Sequence, residues 1–349
     1  MRNKARFLLS KKKLHKQYNE AKNMSDIVSY SFKTNFEIGH ILEDETDSMF
    51  SIHSIESACM LKDMNRVWFI AQAWNEKELS TVFEKGINKF IIDNVMDLNK
   101  LLDYIKENNK EIELLLRIRL KEHTIHTGKY FVYGMKSNAV KELIPKLKEN
   151  KLIKKIGLHF HRKTQNISEW GIKNELDSMY GEEILTQMDY INIGGGLPAV
   201  YKNFRVETMN YVIKKIQELK LWLNKMNVQM IVEPGRFIAA SPIILEAKIM
   251  NIYDGNIIVN GSVWNAAMDT FVANIRLLVE NEIDESNREK KGKHYTIKGN
   301  SPDSMDILRY RVKLNNPKIG DTIRFLNAGA YNFHTNFCNL PKLETVIID

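Results

Sequence analysis

The sequence predicts an α/β fold: a (β/α)8 barrel followed by a C-terminal, mainly antiparallel β domain. Two observations support this prediction. From about residue 27 to residue 235, short apolar runs alternate with amphipathic helical stretches, and after Arg236 the helical spacing largely disappears. Strands separated by helices pair in parallel, and about eight such units close into a barrel. A chain of 349 residues is long enough for a barrel with an appended domain.

Eight apolar runs have the length and composition of buried strands. In chain order they are Ile27–Lys33, Met49–Ser54, Arg66–Ala71, Asn88–Asp93, Glu113–Ile118, Lys155–Phe160, Met188–Ile193 and Val228–Val232. Each run except the last is followed by a helix-like pattern. The clearest of these helices are predicted over Glu76–Lys85, Val95–Asn108, Ala139–Asn150 and Val206–Lys225. Together they define a predicted barrel domain over residues 20–236.

Residues 237–349 contain strand-like segments joined by turn-rich stretches, a pattern typical of antiparallel sheets. The predicted strands are Ile243–Tyr253, Asn256–Asn260, Ile275–Glu280, His294–Lys298, Ile307–Leu314 and Thr322–Phe325. We therefore predict a second domain made mainly of β strands. Residues 1–19 are a candidate for one further strand in it.

Composition argues against several classes of function. The net charge of +8 is spread along the chain, with acidic residues between the basic ones, which favours a solvated surface over a nucleic-acid groove. Two cysteines are too few for a disulfide framework, and neither a membrane-spanning run nor a signal-peptide pattern is present. We expect a cytoplasmic protein that acts on a small molecule, without a nucleic-acid or membrane partner and without a metal site.

Two glycine turns follow the predicted seventh and eighth strands. Gly194-Gly195-Gly196 ends one run, and Glu233-Pro-Gly-Arg236 ends the next. Glycine lets backbone N–H groups approach a phosphate closely, and barrels often bind phosphate after these two strands. The turns therefore predict a phosphate site with a carboxylate, Glu233, beside it.

Three more polar residues end predicted strands at the same rim. Lys33 ends the first strand, Arg117 lies near the end of the fifth, and His161 follows the sixth. A partly desolvated lysine has a lowered pKa and can act as a nucleophile towards a carbonyl group. Each residue alone has an ordinary structural explanation. A lysine, an imidazole, the Glu233 carboxylate and a phosphate cradle on one rim match the needs of pyridoxal phosphate.

The chain resembles the fold-type III pyridoxal-phosphate decarboxylases, which include the ornithine, diaminopimelate, arginine and carboxynorspermidine enzymes. The motifs are Tyr-Ser-Phe-Lys33-Thr-Asn, His-Phe-His161, Ile-Gly-Gly-Gly-Leu-Pro, Glu233-Pro-Gly-Arg and Asn-Ala-Gly-Ala-Tyr331. The resemblance implies an alanine-racemase-like barrel in which Lys33 holds the cofactor, His161 stacks on its ring and Glu233 pairs with the ring nitrogen. It also places Arg117 near the phenolic oxygen. The implied phosphate contacts are Thr164, Gly195, Gly196, Gly235, Arg236 and Tyr331.

The resemblance further implies a head-to-tail homodimer with shared active sites. Asp303 would enter the partner's site and receive the distal end of the substrate, and Asp269 is a second acidic candidate for that contact. Two carboxylates facing one pocket favour an ammonium or guanidinium group. A cationic substrate tail is therefore expected.

At several positions the chain departs from the family pattern. Pro302 stands where relatives usually have a cysteine implicated in protonating the substrate carbon, so Cys338 is a candidate substitute; its simpler interpretation is a small buried residue. Ser51 and Asn192 each replace a family aspartate. These changes leave the proton donor and the substrate open.

The sequence thus predicts a decarboxylase that uses pyridoxal phosphate and acts on ornithine, lysine, arginine or a carboxylated polyamine. Three alternatives stay open at this point. The same scaffold could racemise or epimerise an amino acid, it could decarboxylate diaminopimelate, or it could be a non-catalytic regulatory homologue. Release of CO2 measured against change in optical rotation separates the first alternative from decarboxylation.

Overall fold

The computed structural model describes residues 4–70, 72–120, 133–204, 207–286, 291–332 and 339–349. A first strand, β1 (Arg6–Leu9), precedes eight strands that pair in parallel and close into a barrel. The barrel strands are β2 (Ile27–Ser31), β3 (Met49–Ile52), β4 (Val67–Ile70), β5 (Lys89–Ile92), β6 (Ile112–Arg117), β7 (Ile153–His159), β8 (Tyr190–Asn192) and β9 (Gln229–Val232). The predicted barrel is confirmed, with all eight strands at the expected places.

One strand end differs from the prediction in a way that matters for the site. Strand β2 ends at Ser31, and the next three residues, Phe32–Thr34, form a 3-10 turn. Phe32 is fully buried and stacks on Phe36, which fixes the turn against the barrel. Lys33 therefore lies on a turn beyond the strand, with its side chain directed away from this apolar contact.

Helices connect the barrel strands, as βα units require. The connecting helices are α2 (Phe36–Glu45), α3 (Ile55–Ala58), α4 (Glu76–Glu84), α5 (Val95–Asn108), α6 (Ser137–Glu149), α7 (Ile172–Leu185) and α8 (Glu207–Asn224). One helix, α1 (Lys11–Met24), precedes the first barrel strand, and another, α9 (Arg236–Ala239), follows the last. Local sequence explains their starts: Asn75 and Glu78 form a capping box at α4. The four-residue helix α9 was not predicted. Within the described residues, no helix is both long and apolar enough to cross a membrane.

The remaining strands form a mixed sheet with mostly antiparallel pairs, as predicted for the C-terminal region. Two short helices, α10 (Val263–Ala266) and α11 (Asp269–Val272), interrupt it. The strands are β10 (Ile243–Tyr253), β11 (Asn256–Val259), β12 (Leu278–Val279), β13 (Lys293–Lys298), β14 (Ile307–Leu314), β15 (Thr322–Leu326) and β16 (Glu344–Ile347). The N-terminal β1 pairs with β10 and β16, so both chain ends meet in this sheet. Strand β16 was missed in the sequence.

The barrel interior is filled by apolar side chains from its own strands. One cluster contains Trp68 and Ile70 of β4, Ile91 of β5, Leu115 of β6 and Tyr190 of β8. These residues are at most 8% exposed, so the barrel is a packed core and not a pore. Functional side chains are consequently confined to the rim, where the strands end.

Candidate active site

A cavity of about 600 Å³ lies at the carboxyl ends of the barrel strands. The structure brings together all ten residues to which the resemblance gives a cofactor contact. They are Lys33, Arg117, His161, Thr164, Gly195, Gly196, Glu233, Gly235, Arg236 and Tyr331. Parallel strands of a closed barrel end on one rim, so residues far apart in sequence meet there.

Glu233 is the buried carboxylate of this cavity. It is 9% exposed, and its Oε1 accepts hydrogen bonds from Ser51 Oγ at 2.7 Å and from Asn192 Nδ2 at 3.0 Å. Its Oε2 lies 3.2 Å from Nε2 of His159. Burial by itself raises the pKa, but the interactions with His159, Ser51 and Asn192 outweigh it and hold the pKa of Glu233 well below its usual range. Glu233 is therefore ionised at neutral pH.

Lys33 lines the same cavity as Glu233. Its amine is open to the cavity but surrounded by the barrel rim, and this partial desolvation lowers its pKa. The charge of Glu233 opposes the shift, and the charge of Arg117 adds to it. The net effect is a lysine that loses its proton more easily than a surface lysine does.

His161 is half-buried beside the glycine turn. Burial and the nearby His159 lower its pKa to about 4, so its ring is neutral at pH 7. Arg117, on the neighbouring strand end, lies 3.5 Å from Asp93 and stacks over the Tyr133 ring at 4.9 Å. The neutral His161 ring thus lines the cavity, and the Arg117 guanidinium is already held by a carboxylate.

The other end of the cavity is built from glycines and one arginine. Gly196 has a φ of +92°, which side chains rarely adopt, and a Cβ at Gly235 would collide with Thr34 Oγ1. Tyr331 also has a positive φ, +58°, and its ring lies over the Arg236 guanidinium at 5.2 Å. Strain of this kind is typical of ligand-binding positions.

Two buried donors near this end lack hydrogen-bond partners among the described residues: Nε of Arg236, which lines the cavity, and the Thr34 hydroxyl, which lies beside Gly235 and does not line it. Buried polar atoms normally have partners, so the unpaired Arg236 Nε is suited to bind a ligand acceptor. A guanidinium donor suits an anionic group with oxygen acceptors. A Cβ at position 195, 196 or 235 would collide with a neighbouring protein atom, so glycine allows the turns that line this end of the cavity to pack closely.

Asp269 does not have the expected position. It is 0% exposed, does not line the cavity, and both of its carboxylate oxygens face the Arg236 guanidinium. The structure therefore corrects the expectation of a substrate contact: Asp269 neutralises and orients Arg236. The reason is a tertiary one, because helix α11 packs its first residue against the start of α9.

Two further predicted residues lie away from the cavity or outside the description. Asp303 lies in the turn between β13 and β14, where its Oδ1 accepts a hydrogen bond from the Met305 N–H at 2.8 Å. It does not line the cavity of its own chain. Cys338 falls outside the described residues. The other cysteine, Cys59, is exposed at the end of α3 and also lies away from the cavity.

Sequence reasoning missed two histidines that line the cavity, His53 and His159. His53 follows β3, and its Nε2 lies 3.3 Å from Lys33 Nζ. His159 is the last residue of β7 and contacts Glu233. Their positions at strand ends were a usable signal, since the same criterion selected Lys33 and His161. The sequence marked Ser51 and Asn192 only as residues that replace family aspartates. In the structure both donate hydrogen bonds to the Glu233 carboxylate.

The sequence matches the family described as pyridoxal-dependent decarboxylase, pyridoxal binding domain, over residues 46–240. This match covers more than half of the chain. The chain belongs to the pyridoxal-dependent decarboxylase family. The decarboxylase is 24% identical over 308 residues to a diaminopimelate decarboxylase of Archaeoglobus fulgidus, a match that covers 82% of this chain and 72% of that protein.

Solved structures share the fold of the decarboxylase. A lysine/ornithine decarboxylase of Vibrio vulnificus complexed with cadaverine has a TM-score of 0.80 at 19% identity, covering 99% of this chain and 94% of that one. A diaminopimelate decarboxylase from M. jannaschi has a TM-score of 0.82 at 18% identity, covering 98% and 86%. The predicted barrel with a C-terminal β domain is thus confirmed. The family uses pyridoxal phosphate, and the decarboxylase acts on an amino acid.

Proposed function

We propose that this chain removes the α-carboxylate of an amino acid with a cationic side chain: ornithine, lysine, arginine or a carboxylated polyamine. One observation carries the proposal. Each guanidinium that lines the cavity is already paired with a carboxylate of the chain: Arg117 with Asp93 at 3.5 Å, Arg162 with Glu169 at 3.4 Å and with Glu175, and Arg236 with Asp269. Among the described residues, the cavity therefore offers no unpaired arginine for a second substrate carboxylate.

In this proposal Lys33 would hold pyridoxal phosphate covalently through its amine, and the Glu233 carboxylate would pair with the ring nitrogen. The bound cofactor supplies an electron sink for the pair left when CO2 departs. Glu233 suits this position because it is ionised, buried and held by Ser51, Asn192 and His159. An ionised carboxylate keeps a proton on the ring nitrogen, and its fixed donors prevent it from turning away.

His161 and the glycine turns complete the proposed cofactor site. The neutral His161 ring would lie against the face of the pyridine ring. Thr164, Gly195, Gly196, Gly235 and Tyr331 would surround the phosphate. Arg236 contributes a charge that Asp269 partly compensates and a free Nε donor. The unpaired Nε of Arg236 supports the assignment.

The site is proposed to be shared between two copies of the chain in a homodimer. Asp303 lies outside the cavity of its own chain, and large apolar side chains are exposed near its turn and on helix α11, including Met305 at 54% and Val272 at 72%. Exposed apolar residues of this size favour an interface. From a partner, the Asp303 carboxylate would receive the cationic end of the substrate.

A complementation experiment tests the shared site. Lys33→Ala and Asp303→Ala variants are each expected to be inactive alone. When the two variants are mixed in equal amounts while unfolded and are then refolded together, they should recover about a quarter of wild-type activity, because about half of the dimers are heterodimers with one intact site of two. No recovery, in a mixture that ultracentrifugation shows to be dimeric, would contradict the shared site.

The substrate is tested by measuring CO2 release and optical rotation for lysine, ornithine, arginine, diaminopimelate and carboxynorspermidine with added cofactor. We expect turnover of at least one monocarboxylic substrate with a cationic tail, and loss of that turnover in Lys33→Ala. Turnover of diaminopimelate alone would contradict the proposal and would assign diaminopimelate decarboxylation to the chain instead. That second candidate is favoured by the similarity to the Archaeoglobus fulgidus protein.

A further inference from the structure

His53 is a cavity residue for which the proposed function gives no role. It follows strand β3, as Lys33 follows strand β2, and the two strands pair in parallel with Ser31 opposite Ser51. Lys33 and His53 each lie two residues beyond this pair. The register of the barrel therefore brings the two side chains to neighbouring points on the rim.

The contact between them is a hydrogen bond. Nζ of Lys33 lies 3.3 Å from Nε2 of His53, and His53 is the one hydrogen-bond partner of this amine among the described residues. A lysine amine can only donate when protonated, so the imidazole nitrogen must be the acceptor. The nearby carboxylate, Glu233, is engaged by its own three donors.

The surroundings keep the imidazole in the form that accepts. Burial, together with the charges of Lys33, Arg117 and His159, lowers the pKa of His53 to about 4, although the charge of Glu233 acts in the opposite direction. At neutral pH the ring is therefore uncharged, and one ring nitrogen carries a free lone pair. Lys33 thus has a neutral acceptor that does not trap its proton as a carboxylate would.

We propose that His53 is a positioning residue for Lys33, which holds the lysine amine at the cavity rim whenever that amine is not bonded to the cofactor. The inference rests on the proposed role of Lys33 as the cofactor-bonding lysine. Holding the amine in one place raises the rate at which it bonds the cofactor, because fewer orientations are lost in that step. His53 itself does not touch the reacting carbon.

The test follows the absorption band of the lysine–cofactor bond after cofactor-free protein is mixed with pyridoxal phosphate. His53→Leu keeps the bulk of the side chain and removes the acceptor, so the rate should fall about tenfold, the worth of one ordinary hydrogen bond. His53→Gln restores an acceptor and should react within about twofold of wild type. His294→Leu, at an exposed surface histidine, is the matched control and should not change the rate.

The outcomes separate this inference from the proposed function. If Lys33→Ala keeps the band, the role of Lys33 is wrong. If Lys33→Ala loses the band while His53→Leu reacts as fast as wild type, only the role of His53 is overturned. Equal slowing in His53→Leu and His53→Gln would also overturn it, because a hydrogen-bond acceptor would then make no difference. Melting temperatures of each variant show that the fold is retained.

Discussion

Two buried carboxylates near the same cavity have different roles: one is available to a ligand, and the other neutralises an arginine. Glu233 is 9% exposed, borders the cavity and is held by a serine, an asparagine and a histidine. Asp269 is 0% exposed and is held by the guanidinium of Arg236. A carboxylate held by such donors can still interact with a cationic ligand, whereas one paired with arginine has its charge already balanced. Whether a buried carboxylate can interact with a cationic ligand therefore depends on its hydrogen-bond and ion-pair partners, and not on its burial.

The largest expected effect comes from Glu233→Gln. The variant keeps the shape and several hydrogen bonds but loses the negative charge that, in the proposed function, would pair with the ring nitrogen. We expect kcat/KM to fall on the order of 10³-fold, the loss found when a preorganised electrostatic group is removed. The free energy of unfolding should change by only about 1 kcal/mol, because the side chain still forms hydrogen bonds. Steady-state kinetics and urea unfolding measure the two quantities; more than a tenth of wild-type activity would contradict the assignment.

Asp269→Asn should affect mainly the free energy of unfolding, whereas Glu233→Gln should affect mainly the activity. It leaves the Arg236 charge buried and unpaired, so the free energy of unfolding of the cofactor-free protein should fall by about 3 kcal/mol. Urea unfolding measures this loss. The double variant Asp269→Asn, Arg236→Met removes both charges and should recover much of the stability. If Asp269→Asn is as stable as wild type and only KM rises, the substrate contact expected from the sequence is correct after all.

A smaller effect is expected from Ser51→Ala. The substitution removes the 2.7 Å hydrogen bond to Glu233 Oε1 and leaves the carboxylate two of its three donors. Activity should fall about tenfold, which corresponds to one net hydrogen bond. Ser80→Ala is the matched control, since Ser80 donates to Glu84 at 2.8 Å on an exposed helix face. Equal activity of the two variants would show that Glu233 needs no support from Ser51.

The smallest effect concerns pH and the neutral His161. Its pKa is lowered to about 4 in the folded chain, from an ordinary value of 6.5, so between these values the unfolded chain binds more protons. The contribution of the neutral His161 ring to the free energy of unfolding is therefore fully present above pH 6.5 and is lost as the pH falls towards 4. Lowering the pH from 7 to 5 should lower the melting temperature of the cofactor-free protein in both wild type and His161→Leu. The drop should be about 2 °C smaller in His161→Leu. A drop as large as in wild type would contradict a buried neutral ring.

Much of the site could be predicted from the sequence because its parts lie at strand ends. Lys33, Arg117, His161 and the glycine turns were selected by that criterion, and the structure gathers them around one cavity. The criterion was applied incompletely, since His53 and His159 satisfy it as well. The criterion could not predict which side chains form hydrogen bonds with each other. Ser51, for example, donates to Glu233 although 182 positions separate the two residues in the chain.

The sequence by itself determined the barrel, because strand and helix periodicity are local properties of short segments. It also determined the glycine turns: Gly194 and Gly196 have positive φ angles, which glycine adopts easily, and a Cβ at Gly235 would collide with Thr34. The tertiary structure alone decided which buried acid borders the cavity and which one neutralises Arg236, and it placed His53 beside Lys33. Those outcomes depend on barrel register and on helix α11 packing against α9, which no short stretch of sequence records.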